Sequence, residues 1–194
     1  MTDDGRLLAM FEASSDTFDD KLHQVPADRW DSGTPCTDWD VRALVNHVVG
    51  EHRWVVPLMA GQTIDDVGSE LDGDLLGDDP TAAWHHATGP SHAAFAEPGA
   101  MDSTVHLSYG DERAAAYCEQ LVFDNLVHAW DLARAAGVDD TLPPDLVDWG
   151  IGWATPILPM LTGSGAFGQV LEVPDDADAQ TRLLAMVGRR REAT

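Results

Sequence analysis

The segment QLVFDNLVHAWDLARAAG, residues 120–137, sets Asp124, His128 and Asp131 into an otherwise apolar helical pattern closed by Gly137. Positions three and four apart on a helix are neighbours, with Cβ atoms about 5–6 Å apart. At about 100° per residue, Tyr117, Leu121, Asp124, His128 and Asp131 share one face. Two carboxylates and an imidazole directed at a core must be paired, protonated or bound to something. Nitrogen and oxygen donors on consecutive turns can hold a divalent cation.

Spacing alone does not decide between these. Acids are so frequent that about three His/acid pairs at i, i+4 are expected by accident, and such a match is only a hypothesis. Four occur: Asp19/His23, His47/Glu51, Asp102/His106 and Asp124/His128. Context separates them. Asp19/His23 closes a mostly polar stretch and Asp102/His106 lies in a link, so both are expected to face solvent. His47/Glu51 and Asp124/His128 sit in the two most apolar helical stretches. His47 shares a face with Leu44, Glu51, Trp54 and Leu58, and is expected to face the core.

If those two helices are neighbours, His47 meets Asp124 and His128. Two imidazoles and a carboxylate in a bundle core can hold a divalent ion and leave a coordination position open, the pattern of catalytic rather than structural sites. Glu51 and Asp131 then orient the imidazoles through their other nitrogens. The competing reading is that His47 and His128 are satisfied core histidines and Asp124 bonds a neighbouring hydroxyl or amide. On the residues alone both readings stay open. Cys36 is expected to be structural, His85 and His86 to lie at the surface, and Arg134 to pair with Asp131.

The elements that must position these residues follow from periodicity and turn chemistry. Apolar residues Leu7 to Leu22 recur at helical spacing over 3–24, and the Pro/Gly-containing 25–37 is loop. Thr37 with Asp40 three residues on reads as an acidic capping box for a helix running to about Ala60. Residues 61–79 are expected to be an exposed loop. A helix opens at Asp79-Pro80 and runs to about Ala96, kinked or split at Gly89-Pro90. Residues 104–110 form a short strand or extended link, and 111–136 the long helix of the opening segment. Another helix begins at Pro143-Pro144 and is broken by Pro156 and Pro159. A strand at 169–173 and a short helix near 177–188 complete the chain. This is an all-α reading: a four-helix bundle in a single domain, 1–194, with short helix and strand elements at its C-terminus.

The 194 residues carry 34 acids against 11 basic residues, a formal charge of −23. That field repels phosphate backbones and anionic membranes, so neither nucleic acid nor membrane is expected as a partner. Two cysteines 82 residues apart form neither a disulfide framework nor a CxxC site and fit a reducing cytoplasm. The N-terminus lacks the basic-then-apolar run of a signal peptide, and no apolar run approaches a membrane span.

TPCTDWDVRALVNHVVGEHRWVVPLMAG (34–61), FDNLVHAWDLARAAG (123–137) and GAFGQVLEVPDDADAQTRLLAMVGR (165–189) resemble an actinobacterial metal-binding family. It is related to the N-terminal domain of mycothiol-dependent maleylpyruvate isomerase, within the DinB-like superfamily. The resemblance spans essentially the whole chain. It implies a DinB-like four-helix bundle and a divalent metal on His47, Asp124 and His128, with Glu51 and Asp131 in support. Zinc is the expected ion, with nickel or iron as alternatives. The family's acid is often Glu, and Asp124 has a shorter arm. The resemblance further implies that the metal activates a small-molecule thiol, such as mycothiol, toward an electrophilic substrate, as in a transferase. The isomerase continues into a second domain that this chain is too short to hold, so maleylpyruvate isomerisation is not expected. A non-catalytic metal-binding or stress-response module and a metal-dependent hydrolase are the alternatives. The assembly expected is a monomer or a homodimer.

Overall fold

The computed structural model describes residues 3–163 and 167–191. Among these residues, seven helices and one hairpin follow in order: α1 (Asp3–Leu22), α2 (Val41–Met59), α3 (Ile64–Val67), α4 (Pro80–Ala96), β1 (Thr104–Leu107), β2 (Gly110–Arg113), α5 (Ala114–Ala136), α6 (Pro144–Gly163) and α7 (Ala179–Met186), with a short 3-10 turn at Ala100–Asp102. The chain divides into two compact units, Met1–Asp140 and Thr141–Thr194.

The first unit is an all-α, DinB-like four-helix bundle. Each of α1 and α2 packs against both α4 and α5, so the helices form a closed ring with α1 diagonal to α2. Helix α5 is apolar nearly all round and is buried along its length, from Ala114 through Phe123, Leu126 and Trp130 to Ala136. A buried side chain of the Phe123 or Leu126 kind stabilises such a core by about 2–5 kcal/mol relative to alanine. Gly137 ends the helix in the left-handed conformation (φ 74°), its amide and that of Val138 both donating to Ala133 O. Only glycine enters that conformation without strain. Lys21, the sole lysine, ties the end of α1 to the segment after α5 by donating to Asp139 O at 2.7 Å.

Several boundaries depart from the sequence reading, each for a local reason. Asp40, not Thr37, caps α2, accepting from the Ala43 amide at 2.8 Å. Thr37 is left in a turn, where Trp39 N donates to Cys36 O. The stretch 61–79 is not a free loop. It contains α3, opened by a Thr63–Asp66 capping box, and buries Val67 and Leu76. Asn46 pins it to α2, donating to Gly73 O and accepting from the Leu75 amide. Residues 111–113, expected at the start of the long helix, instead join Gly110 in pairing antiparallel with β1, Leu107 opposite Gly110 and Thr104 opposite Arg113.

Helix α4 runs through Pro90 without a break, and α6 through Pro156 and Pro159. An interior proline costs about 3 kcal/mol or more. In α4, burial of Trp84, Ala87 and Thr88 before the proline and of Ser91 and Phe95 after it offsets that cost.

In the second unit α6 and α7 pack together, and the Leu142 amide donates to Gln180 Oε1. No strand forms at 169–173. Gly168 N donates to Val187 O and Leu171 N to Ala185 O, two isolated bonds rather than a ladder. The approach requires glycines. A Cβ on Gly188 (φ 76°) would lie 2.7 Å from Gly168 Cα. Among the described residues no helix is long and apolar enough to cross a membrane.

Candidate metal centre

The contact between α2 and α5 brings together the three residues expected to ligate a metal. The Asp124 carboxylate lies between two imidazoles, with Oδ2 3.4 Å from His47 Nε2 and Oδ1 3.3 Å from His128 Nε2. The two rings meet edge to face at 5.2 Å between centroids. One ligand atom from each of the three residues lies within 4.8 Å of the others. The aspartate arm is therefore long enough, because α2 lies against α5.

The other nitrogen of each ring faces a second carboxylate. His128 Nδ1 lies 3.0 Å from Asp131 Oδ2, and Asp131 is fully buried. His47 Nδ1 lies 3.9 Å from Glu51 Oε1, a looser approach. A carboxylate behind an imidazole fixes its tautomer and raises its basicity toward an ion. His128 is thus the more firmly set of the two rings, while His47 and Asp124 keep 28% and 21% of their side-chain surface exposed. The centre is reachable from solvent on that side.

The residues present fit a divalent cation. Asp124 Oδ2 is buried and accepts no hydrogen bond, and the Tyr117 hydroxyl, two turns earlier on α5, is also buried and unbonded. Burial would by itself lower the His128 pKa, but the Asp124 charge and the hydrogen bonds the ring donates to Asp124 and Asp131 outweigh it and push it up to about 10. Burial would raise Asp124, yet His128 and His47 hold it well below the usual carboxylate range. Partial burial, then the Asp124 charge, pushes the Glu51 carboxyl up. Without a cation, a proton on His128 takes up the positive charge that this set of acids demands.

The turn before α2 forms one wall. Thr34 Oγ1 accepts from Cys36 N and donates toward the carbonyls of Cys36 and Trp39. That turn lays the Trp39 ring 4.5 Å from His47 and 5.7 Å from His128. It also brings Cys36 Sγ within 4.8 Å of a ring nitrogen of His128 and an oxygen of Asp131. The position of Cys36 beside the centre, and Trp39 over it, were not expected from residue types; the TPC-x-x-W block was the available signal. An open groove of about 450 Å³, lined by Arg53, Val56, Pro57, Val67, Glu70 and Leu71, shares no residue with the trio.

Other sequence readings resolve differently. Arg134 pairs with Asp140 at 3.3 Å rather than with Asp131, which faces His128. His106 bonds Asp111 across the hairpin, and Asp102 pairs with Arg113. Trp54 is only half-buried, whereas His52, one residue beyond Glu51, is fully buried and was missed.

His52 centres a second polar network, which draws on all four bundle helices. Its Nε2 lies 3.2 Å from Asn125 Oδ1 and its Nδ1 2.7 Å from Ser91 Oγ. Asn125 Nδ2 reaches Ser14 and Ser15, whose hydroxyls are committed to Phe11 O. The amide therefore donates to the serines and turns its oxygen to His52 Nε2, while Ser91 Oγ, which also bonds Thr88 O, meets Nδ1. Burial, and secondarily His92, lowers the His52 pKa to about 3. This imidazole is neutral.

Residues 11–133 match the model of the mycothiol maleylpyruvate isomerase N-terminal domain, so the match includes the whole trio and both orienting carboxylates. The chain belongs to that family. It is 30% identical over 184 residues to two Mycobacterium tuberculosis proteins, the uncharacterized protein Rv0738 of strain ATCC 25618 / H37Rv and the uncharacterized protein MT0763 of strain CDC 1551 / Oshkosh, covering 94% of this chain and 97% of each relative. No solved structure matches the chain significantly.

Proposed function

We propose that the bundle holds one divalent cation, zinc before nickel or iron, through His47, Asp124 and His128, and that it serves thiol-dependent transfer chemistry in the cytoplasm. The observation that carries this is the Asp124 carboxylate set between two Nε2 atoms, with one oxygen buried and accepting no hydrogen bond. Two imidazoles and one carboxylate suit zinc and leave at least one coordination position for an exogenous ligand. A bound cation would supply an electrophilic point at which a small-molecule thiol is held as the thiolate, the form that attacks electrophiles.

The chain's own residues have separable tasks. Asp131 holds the His128 ring in one tautomer with Nε2 turned toward Asp124. Glu51 stands behind His47 and adds negative charge at the edge of the centre. Trp39 gives an apolar wall beside both rings, and the partial exposure of His47 and Asp124 leaves an approach for a thiol. The choice of a thiol over water rests on the family's association with mycothiol. The electrophile is a small molecule.

Metal analysis of protein purified without a polyhistidine tag tests the reading, followed by cobalt substitution and addition of mycothiol. The expected result is one equivalent of metal per chain lost in His47→Ala and His128→Ala, and a sulfur-to-cobalt charge-transfer band on adding thiol. Metal binding indifferent to both substitutions would sink the centre. Metal bound with no thiol band and no thiol consumed would instead favour a non-catalytic module.

A further inference from the structure

We propose a second divalent-cation site, formed by Asp19, His23 and His85 where α1 meets α4, on the side of the ring opposite the α2–α5 centre. It takes a borderline transition ion of the zinc type and does not depend on the function proposed above. The donor set is that of the first centre, but the orientation differs at one ring: His23 turns Nδ1, not Nε2, toward the carboxylate. One aspartate again sits between two imidazoles, with Asp19 Oδ1 3.0 Å from His85 Nε2 and Oδ2 3.4 Å from His23 Nδ1. The rings stand 5.6 Å apart, and one ligand atom from each residue lies within 4.8 Å of the others.

The local fold explains how the three meet. The His23 amide still donates to Asp19 O at 3.0 Å, so helical geometry continues one residue past the end of α1 and stacks His23 over Asp19. The His23 ring is held by Nδ1 at 3.0 Å from the same carbonyl oxygen, a bond that leaves a lone pair on Nε2. His85 comes from the second turn of α4. Its neighbour His86 is about 100° further round the helix and takes no part.

The donor set selects the ion. Two imidazoles with one carboxylate favour zinc, nickel or copper over magnesium and calcium, which prefer oxygen. The net charge of −23 raises the local concentration of cations but does not discriminate among them; the imidazoles do. His23 and His85 are half exposed, at 50% and 53% of side-chain surface, and no second carboxylate is found behind either ring among the described residues. This site is therefore the weaker of the two. When filled, it clips the end of α1 to α4 and stabilises the folded bundle by mass action.

The test is a calorimetric titration of Zn²⁺ into untagged, chelator-stripped protein, with His23→Ala, His85→Ala and His47→Ala alongside. The substituted surface histidines are half exposed, so the fold should be unchanged by circular dichroism. The expected result is two equivalents in wild type. His23→Ala and His85→Ala each lose the weaker one, which persists in His47→Ala and in the presence of millimolar Mg²⁺. A wild-type titration with a single equivalent that disappears in both His23→Ala and His85→Ala but persists in His47→Ala would support this site while removing the central one. A weak phase that survives both surface substitutions, or that Mg²⁺ abolishes, overturns the proposal.

Discussion

Helices α2 and α5 each carry two adjacent polar residues that go to different places. Glu51 and Asp124 face the candidate metal centre, while His52 and Asn125, one residue further along each helix, enter the middle of the bundle. The two regions use the same side chain, a buried imidazole, to opposite effect. At the centre the partners are carboxylates, and His128 is driven toward the charged form or a cation. In the network the partners are an amide and hydroxyls, and His52 stays neutral. What a buried histidine does is decided by whether its neighbours carry charge.

The largest expected effect separates the two histidines directly. His128→Ala should lower zinc affinity by more than the ~100-fold that loss of an orienting partner typically costs. His52→Gln should leave metal content unchanged. Competition against a chromophoric zinc chelator measures both, and equal losses in the two variants would erase the distinction.

The second effect is a pH dependence confined to the network. His52 is met by Phe11 from α1, by Trp84, Ser91 and His92 from α4, and by Asn125 from α5, with the Asp124 charge beyond. Its folded pKa lies below its unfolded value of about 6.5, so between the two the unfolded chain binds the extra proton. Stability from this group is complete above pH 6.5 and falls as pH drops toward 3. From pH 7 to pH 4 the loss is about 3 kcal/mol. Other groups titrate in this range as well, so the quantity to read is the gap between wild type and His52→Gln in urea denaturation. That gap should shrink by about 3 kcal/mol over the interval; parallel curves would show that the network accepts a charged imidazole.

Asp131→Asn is a smaller perturbation at the centre. It keeps the size of the side chain but replaces a buried carboxylate behind His128 with an amide. Zinc affinity should fall by about 10–100-fold with one equivalent still bound. A drop as large as that of His128→Ala would make Asp131 a ligand rather than an orienting group.

How much of this could be read beforehand varies with the kind of signal. The four long helices were legible because their apolar residues recur at helical spacing and Gly137, Asp79 and Pro80 mark ends. The trio was legible as a set only because two apolar helices each carried an acid and a histidine and a family pattern joined them. His52 and Asn125 were invisible to the same reasoning, since neither has an acid four residues away and a neutral network leaves no charge pattern. Nor could spacing foresee that α4 would tolerate Pro90. That outcome depends on burial of Trp84 and Phe95 on either side, a tertiary effect. The pairing of Asp19 and His23 with His85 needs the packing of α1 on α4, which spacing within either helix does not contain.

The smallest expected effect is the sharpest on assignment. Cys36, His128 and Asp131 form an alternative ligand set that shares His128 with the proposed one, so a single ion cannot use both sets fully. Asp131 is the better orienting group, because its oxygen is 3.0 Å from His128 Nδ1 while Nε2 is turned to Asp124. The Cys36 backbone is held by Thr34 in a turn whose evident product is the placement of Trp39. Cys36→Ser should therefore leave zinc stoichiometry at the centre unchanged and alter affinity by less than about 3-fold, well under the cost of losing an orienting group. Cobalt spectra offer an independent check, since a cysteine ligand gives an intense sulfur charge-transfer band before any thiol is added. If that band is present in wild type and vanishes in Cys36→Ser, the ion sits on the Nδ1 side of His128, and His47 and Asp124 belong to the wall of the site rather than to its ligand set.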